Sequence, residues 1–249
     1  MPEWSQAGGW GLLAGSALLI GAVLGFHARV PRRVIASVMA FGAGVLLSAV
    51  SFELIAGAHE QGGLAPTAIG AAGGALAYTG ANLLLARRGA RHRKRSGDAQ
   101  PSEQEQPGSG SAIAVGALLD GVPESVVIGA SLLAGGPVSL VTVVAVFLSN
   151  VPEGLSSAAG MRRAGRSARY VFTLWTAIAL VSGVAAVAGY TLLGGAPPEV
   201  LAGITALAAG AILAMITDTM VPEAFEDAHL LVGLITVLGF LVAFALSHA

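Results

Sequence analysis

Two short stretches of the chain place acidic residues inside apolar segments. The first, at 120–125, is Asp-Gly-Val-Pro-Glu-Ser, and the second, at 149–154, is Ser-Asn-Val-Pro-Glu-Gly. Each has a glutamate directly after a proline, and a polar residue four places earlier falls on the same helix face. A carboxylate within hydrocarbon is costly, so it is by default a hypothesis for a functional site. We interpret the two stretches as one cation site near the middle of a membrane.

The oxygen atoms of these stretches define the chemistry of the predicted site. Asp120, Glu124 and Glu153 offer carboxylates, and Asn150 and Ser149 offer neutral oxygens. Such a set suits Mn²⁺, Mg²⁺ or Ca²⁺, and Fe²⁺ and Zn²⁺ also accept carboxylates. Several negative charges this close together are unfavourable without a cation between them. The chain has no cysteine, which excludes thiolate sites and disulfides.

The composition is that of an integral membrane protein. Hydrophobic residues make up 55% of the chain, charged residues 11%, and the mean hydropathy is +0.77. We therefore predict an all-α, polytopic bundle forming a single transmembrane domain. Eight apolar segments are each near the roughly 20 residues that span a bilayer as a helix. They lie at 10–26, 34–57, 65–86, 112–134, 138–161, 170–193, 200–219 and 230–247.

The basic residues orient the predicted bundle. All 13 Lys and Arg residues lie in the connections after helices 1, 3 and 5. The positive-inside rule makes these connections cytoplasmic and puts both termini outside. The longest of them, 87–111, opens with a basic cluster and continues with a Ser-, Gly- and Pro-containing stretch, so we predict a disordered loop. We interpret its basic cluster as an orientation signal beside anionic lipid, not a nucleic-acid contact.

The elements that carry the acids are expected to be neighbours. A short Gly-Gly-Pro connection at 135–137 joins helices 4 and 5, which should make them antiparallel. Pro123 and Pro152 should each free one backbone carbonyl, and such carbonyls are tolerated at membrane depth where they line a cavity. Broken helices of this kind recur in the binding sites of transporters.

Three further acids suggest a path through the bundle. Glu53 near the outer end of helix 2 is a candidate entrance. Asp218, near the inner end of helix 7, and Glu223 are candidate exits, and Glu223 belongs to a third Val-Pro-Glu sequence. The alternative for each is an interfacial carboxylate that is simply solvated.

The chain resembles the ZIP (Zrt/Irt-like) family of divalent metal transporters, most closely its bacterial branch. The resemblance lies in these motifs, the eight predicted helices, both ends outside and the long third connection. The Phe-Gly-Ala-Gly-Val-Leu-Leu-Ser stretch at 41–48 is also similar to that family. The resemblance implies a two-metal site between helices 4 and 5 and an inverted repeat of helices 1–3 and 6–8.

The chain departs from the family at the implied metal site. Asp120 replaces the usual histidine of helix 4, and Ser149 stands where helix 5 often has a histidine. Helix 6 lacks the glutamate that many members carry. The first metal position would keep three carboxylates and no imidazole, and the second would keep only Asn150 and Glu153.

The function predicted from the sequence is transport of divalent metal cations (Zn²⁺, Fe²⁺, Mn²⁺ or Cd²⁺, as substrate and not as cofactor) across the cell (inner) membrane. No enzymatic activity is expected, because the chain has neither His-Glu-x-x-His nor Gly-x-Ser-x-Gly. The alternatives are a proton-coupled carrier of another substrate and a transport-inactive, metal-binding relative. The expected partners are the metal ion and the lipid bilayer, and a homodimer stays an open alternative.

Overall fold

The computed structural model describes residues 1–28, 30–96, 98–134, 138–228 and 231–248. These residues are predominantly helical and contain no strand. Seven of their helices are long and apolar enough to cross a membrane, and an eighth apolar helix is shorter, at 16 residues. They are α1 (Glu3–His27), α2 (Arg32–Gly62), α3 (Leu64–Ala90), α4 (Ser109–Ser131), α5 (Leu140–Arg163), α6 (Ala168–Leu193), α7 (Pro198–Glu226) and the shorter α8 (Val232–Ser247).

The helices are compatible with a multi-pass membrane protein, and several extend beyond the predicted apolar segments. The first helix begins at Glu3, because polar residues next to an apolar segment do not by themselves end a helix. An acidic residue in the first turn also interacts favourably with the helix dipole. The second helix runs to Gly62 and ends where Gly63 adopts φ +81° and ψ −178°, a backbone conformation that favours glycine. The side on which the termini lie stays a prediction.

Two of the long helices contain a π-helical turn near an acidic residue. In α2 this turn is Val50–Ile55, which includes Glu53, and in α7 it is Ile216–Met220, which includes Asp218. Such turns are rare and often occur at functional sites. Glu53 and Asp218, two of the acids predicted to line a path, therefore lie on turns where the helix is locally wider.

The helices pair in a two-fold pattern. The helix α1 packs on α5 and α6, and α4 packs on α6, while α3 packs on α7 and α8 packs on α2. Exchanging α1–α3 with α6–α8, and α4 with α5, leaves these pairs unchanged. Direct contact between α4 and α5 is slight by comparison, because each packs mainly on another helix. The 135–137 connection predicted to join them lies outside the described residues.

Glycines allow close approach in the pairs α3–α7 and α2–α8. A methyl group at Gly210 would lie 2.0 Å from the carbonyl oxygen of Ala71, and one at Gly44 would lie 1.9 Å from that of Thr236. Small residues at such crossings let the backbones of membrane helices touch. These two tightly packed pairs form a frame.

The α3–α4 connection, residues 91–108, differs from the disordered loop predicted from its composition. It forms turns, and several of its polar side chains are buried against the helices. A segment with few apolar residues gains little from burying apolar surface. Here ion pairs and hydrogen bonds to the helices hold the segment, and composition does not reveal them. The buried polar residues of the connection include Arg93, Lys94, Ser96 and Gln100.

Candidate cation site between α4 and α5

The acidic residues of α4 and α5 face one another across a buried ammonium group. The carboxylates of Asp120 and Glu153 approach the same atom, Nζ of Lys94, at 3.4 and 2.8 Å. Lys94 is only 3% exposed, although the sequence places it in a connection between helices. The two helices therefore bring their carboxylates together around a cation, and in this structure the cation belongs to the chain itself.

Arg93, the residue before this lysine, forms a closed network with the first acidic stretch. Its Nε and Nη2 donate to the two carboxylate oxygens of Asp120, each at 2.9 Å. Its Nη2 also donates to the hydroxyl of Tyr78 at 2.8 Å, and its Nη1 donates to Oδ1 of Asn82 at 2.7 Å. The Tyr78 hydroxyl in turn donates to Asp120 at 2.8 Å. Paired, charge-assisted bonds of this kind fix both position and orientation.

Local sequence explains how the arginine reaches this place. Tyr78 and Asn82 are four residues apart on α3 and so share one helix face. The chain turns at Gly89, whose φ of +94° favours glycine. Gly116, one turn before the aspartate on α4, leaves the space that the arginine fills: a methyl group there would lie 2.5 Å from Cδ of Arg93.

The connection is also anchored next to Lys94 by a further buried acid. Glu223 of α7 accepts the backbone N–H of Ser96 at 2.8 Å and the hydroxyl of Ser156 at 2.9 Å. The hydroxyl of Ser156, three residues after Glu153 on α5, also contacts the carbonyl oxygen of Lys94. The backbone on both sides of residue 95 is thereby bound to α5 and α7.

Gln100 closes this part of the connection. Its side-chain amide donates to the carbonyl oxygens of Arg93 and Arg95, at 3.0 and 2.9 Å, and to that of Ser157 on α5 at 3.2 Å. One side chain thus ties two turns of the connection to the helix that carries Glu153.

Exposed acids hold the outer part of the connection. Asp98 lies 2.8 Å from Arg32 and 3.4 Å from Arg163, and these hydrogen bonds keep the pKa of Asp98 below its ordinary value. Glu103 lies 2.5 Å from Arg166 and accepts backbone N–H groups of the connection and of the start of α4. The Arg166 contact, followed by these backbone bonds, lowers the pKa of Glu103 to about 2.

Glu124 is the acid of the site that is least engaged. It is 2% exposed, and within the described structure its Oε1 has no hydrogen-bond partner. Leaving a buried polar atom without a partner is unfavourable, by about 1–3 kcal/mol or more for a charged group. The site therefore has a carboxylate oxygen available to a further ligand.

The two predicted neutral ligands bond elsewhere in this structure. The amide nitrogen of Asn150 donates to the carbonyl oxygen of Ala14 at 2.9 Å and so ties α5 to α1. The hydroxyl of Ser149 donates to the carbonyl oxygen of Val146, one turn back along its own helix, at 3.0 Å. Both contacts contribute to helix structure or packing, and their role as metal ligands stays a prediction.

A cavity of about 580 Å³ lies on the other side of the acids from the connection. Glu53 and Glu60 line it, and so does Val127, which is three residues beyond Glu124 on α4. One helical turn, about 5 Å, therefore separates the cavity wall from the unengaged carboxylate along the axis of α4. The carboxylate of Glu53 also contacts Ser139 at 3.3 Å. The candidate entrance thus lies in a cavity that approaches the site.

The two candidate exits differ in their surroundings. Asp218 is exposed on its π-helical turn. Glu223 is buried and bonded to the connection. Of the two, only Glu223 contacts the segment that covers the acids.

No group of three or more His, Asp or Glu side chains within the described ranges is arranged to hold a metal ion. Two of the three predicted acidic ligands are instead engaged by Arg93 and Lys94. Sequence reasoning assigned these basic residues to membrane orientation and so missed them. The sequence signal that could have found them is charge balance, because buried acids require nearby cations. Arg93 and Lys94 are a pair of basic residues shortly after the end of α3 and could supply those charges.

The fold and the site together define a class of protein. It is a helical protein that is compatible with several membrane crossings, and carboxylates from two of its helices surround one cation, the ammonium of Lys94. No protein-family model matches the chain, and no curated protein matches it either. The ZIP-family resemblance therefore depends on the motifs and the order of the helices alone.

Proposed function

We propose that the protein transports divalent metal cations through the site formed by Asp120, Glu124 and Glu153. The observation that carries this proposal is the buried ammonium of Lys94, which carboxylates from two different helices hold at 2.8 and 3.4 Å. Buried carboxylates that converge on one positive charge form a site suited to a cation. The substrates expected are Zn²⁺, Fe²⁺, Mn²⁺ or Cd²⁺, with an all-oxygen ligand set favouring the harder of these.

The two sides of the site support a transport cycle with alternating access. On one side, the cavity lined by Glu53 ends about one helical turn from Glu124. On the other side, the α3–α4 connection covers the acids and is bonded to Glu223. In the proposed cycle the ion enters through the cavity, reaches Glu124 first and leaves past Glu223 when the connection moves away.

The inward direction of transport is what the ZIP-family resemblance implies. If the basic connections are cytoplasmic, the cavity opens to the outside and can admit the ion from that side. In the proposed cycle the ion passes between α4 and α5, which contact each other only slightly, while each helix keeps its close packing on α6 and on α1, respectively.

A second candidate function is favoured by the same ion pairs. Arg93 and Lys94 supply two positive charges opposite Asp120 and Glu153, which is the composition of a structural ion-pair network. In that case the protein is a transport-inactive relative, and its buried charges only hold the connection in place. Transport measurements separate the two candidates.

The decisive measurement is uptake of Mn²⁺, Zn²⁺ and Cd²⁺ into liposomes containing the purified protein, with Glu124→Gln as the main variant. This substitution removes a negative charge and leaves every described ion pair intact, so the protein should fold. We expect at least a tenfold loss of uptake in Glu124→Gln and in Glu153→Gln. The control is Glu199→Gln, the same change at an exposed residue at the start of α7. Undiminished uptake in Glu124→Gln refutes the assigned site, and wild-type liposomes without metal uptake favour the inactive relative.

A further inference from the structure

The two adjacent basic residues of the connection are held in different ways. Arg93 donates to three side chains, two of them uncharged, in a geometry that fits its planar guanidinium. Among the described residues, the polar contacts of the Lys94 side chain are to two carboxylates, those of Glu153 and Asp120. Arginine forms fixed, forked bonds, whereas lysine is a point charge on a flexible stem. The arginine is therefore a fixed part of the site, and the lysine occupies it as a simple cation does.

Charge balance limits what can replace the lysine. Asp120 and Glu153 carry two negative charges when ionised, and Glu124 adds a third when it is ionised. With Arg93 fixed in place, removing the ammonium leaves an excess of up to two negative charges. A divalent ion supplies two positive charges, and a monovalent ion supplies only the one that it displaces. With Glu124 ionised, the site without its lysine is thus matched to a divalent cation.

The position of the unengaged carboxylate strengthens this match. The free Oε1 of Glu124 lies on the same helix as Asp120, one turn further towards the cavity. An ion that arrives through the cavity therefore meets an available oxygen before it meets the lysine. Binding there gives the ion a ligand that the ammonium does not use.

We propose that Lys94 holds the place of the transported ion, so that its ammonium and the divalent cation compete for the carboxylates of Asp120 and Glu153. Binding of the ion expels the lysine, and the segment that follows it leaves the bundle. This inference depends on the proposed transport function, because it names the competitor at the same site. Lys94 thereby determines specificity: a monovalent ion that replaces it adds no charge, whereas a divalent ion adds one. In the unloaded site the ammonium pairs with Asp120 and Glu153.

The contacts that must break are suited to exchange. They include polar bonds at the buried end of the connection, those of Ser96 and Ser156 to Glu223 and those of Gln100 to backbone carbonyls. They also include the ion pairs of Arg95 with Glu223 and Glu226. Each can be replaced by a bond to water once the segment reaches solvent. Apolar packing, which would resist such a movement, contributes little to this segment.

The first test measures Mn²⁺ binding to the purified wild type and to Lys94→Gln by calorimetric titration. We expect the variant to bind Mn²⁺ at least tenfold more tightly, because its competitor has been removed. The matched control is Arg91→Gln, which removes one positive charge from an exposed residue three positions earlier and should leave the affinity unchanged. Equal affinity in the wild type and Lys94→Gln overturns the inference.

The second test detects movement of the connection and retains the lysine. The chain has no cysteine, so Ser96→Cys introduces a single thiol at a position that is 2% exposed. We expect Mn²⁺ to accelerate labelling of this thiol by a membrane-impermeant reagent. Mn²⁺ is used because Zn²⁺ and Cd²⁺ bind thiolates strongly. A thiol at the exposed control position, Gln104→Cys, should be labelled at the same rate with and without the ion.

The outcomes separate failure of this inference from failure of the proposed function. If the wild type binds and transports Mn²⁺ but the ion does not change the labelling rate of Ser96→Cys, Lys94 is not displaced. In that case only the inference fails. If neither the wild type nor Lys94→Gln binds Mn²⁺, Zn²⁺ or Cd²⁺, the proposed function fails as well. Binding in Lys94→Gln alone supports competition directly.

Discussion

The outer helix pairs and the centre of the bundle are held together by opposite means. In α3–α7 and α2–α8, glycines bring one backbone against another, as at Gly210 and Gly44. Between α4 and α5 the helices barely touch, and a charged segment from the α3–α4 connection lies between their acids. Backbone packing resists any change of distance, whereas ion pairs can exchange partners. The comparison indicates backbone packing that fixes the distance between two helices and, between α4 and α5, ion pairs that can exchange partners.

The largest expected effect comes from breaking the central charge network on one side only. Asp120→Asn leaves the guanidinium of Arg93 buried without its counter-ion, which costs about 3–5 kcal/mol. We expect a strong fall in the thermal unfolding midpoint of the detergent-solubilised protein, followed by circular dichroism.

The double variant Asp120→Leu/Arg93→Met is the control for this prediction. Replacing both members of a buried ion pair by apolar residues is often neutral or stabilising. Most of the lost stability should therefore return. A double variant as unstable as Asp120→Asn would mean that the network contributes more than the pairing of its charges.

The frame is tested by two neighbouring glycines of α3. A methyl group at Gly74 would lie 1.9 Å from the carbonyl oxygen of Leu207 on α7, whereas one at Gly73 meets nothing within 4 Å. We expect Gly74→Ala to destabilise the protein by about 1–3 kcal/mol through overpacking. Gly73→Ala should stabilise it by up to about 1 kcal/mol through helix propensity. Equal midpoints in the two variants would show that α3 and α7 are not closely packed.

The smallest effect is expected at the exposed end of the connection. The pKa of Glu103 is lowered to about 2, chiefly by Arg166, from an ordinary value near 4.5. A depressed pKa means that this attachment contributes stability above about pH 4.5 and loses it as the pH falls through about 2. Hydrogen exchange at the amide of Gly110, which donates to Glu103, should show protection at pH 5 that weakens towards pH 2.

The matched variant for that measurement is Glu103→Gln. Its neutral side chain should give weak protection at Gly110 at every pH. A pH-independent protection in the unaltered protein would contradict the assigned role of this carboxylate.

The sequence predicted the parts of the fold that depend on local patterns. Runs of about 20 apolar residues identified the helices, and acids within such runs marked Asp120, Glu124 and Glu153 as unusual. Helix ends were predicted less well, as at Glu3, because a helix continues through polar residues where no cap or glycine stops it. The metal-binding role of these acids stays a prediction.

Local sequence patterns do not predict which basic residues of the connection are buried. Arg91 is exposed and Arg93 is buried, although they lie two residues apart in one basic cluster. The sequence pattern assigned both to one basic cluster that orients the bundle. Their acidic partners are distant along the chain: 27 residues separate Arg93 from Asp120, and 59 separate Lys94 from Glu153.

The sequence by itself determined that apolar helices long enough to span a membrane contain buried acidic residues. Helix length and the position of an acid within an apolar segment can both be read from residues that are neighbours in the sequence. Only the tertiary structure decided which cation meets those acids. That choice depends on the turn at Gly89 and the space beside Gly116, which together bring a polar connection back into the bundle. Coulombic attraction depends on distance in space, and distance in space between remote residues is a property of the fold.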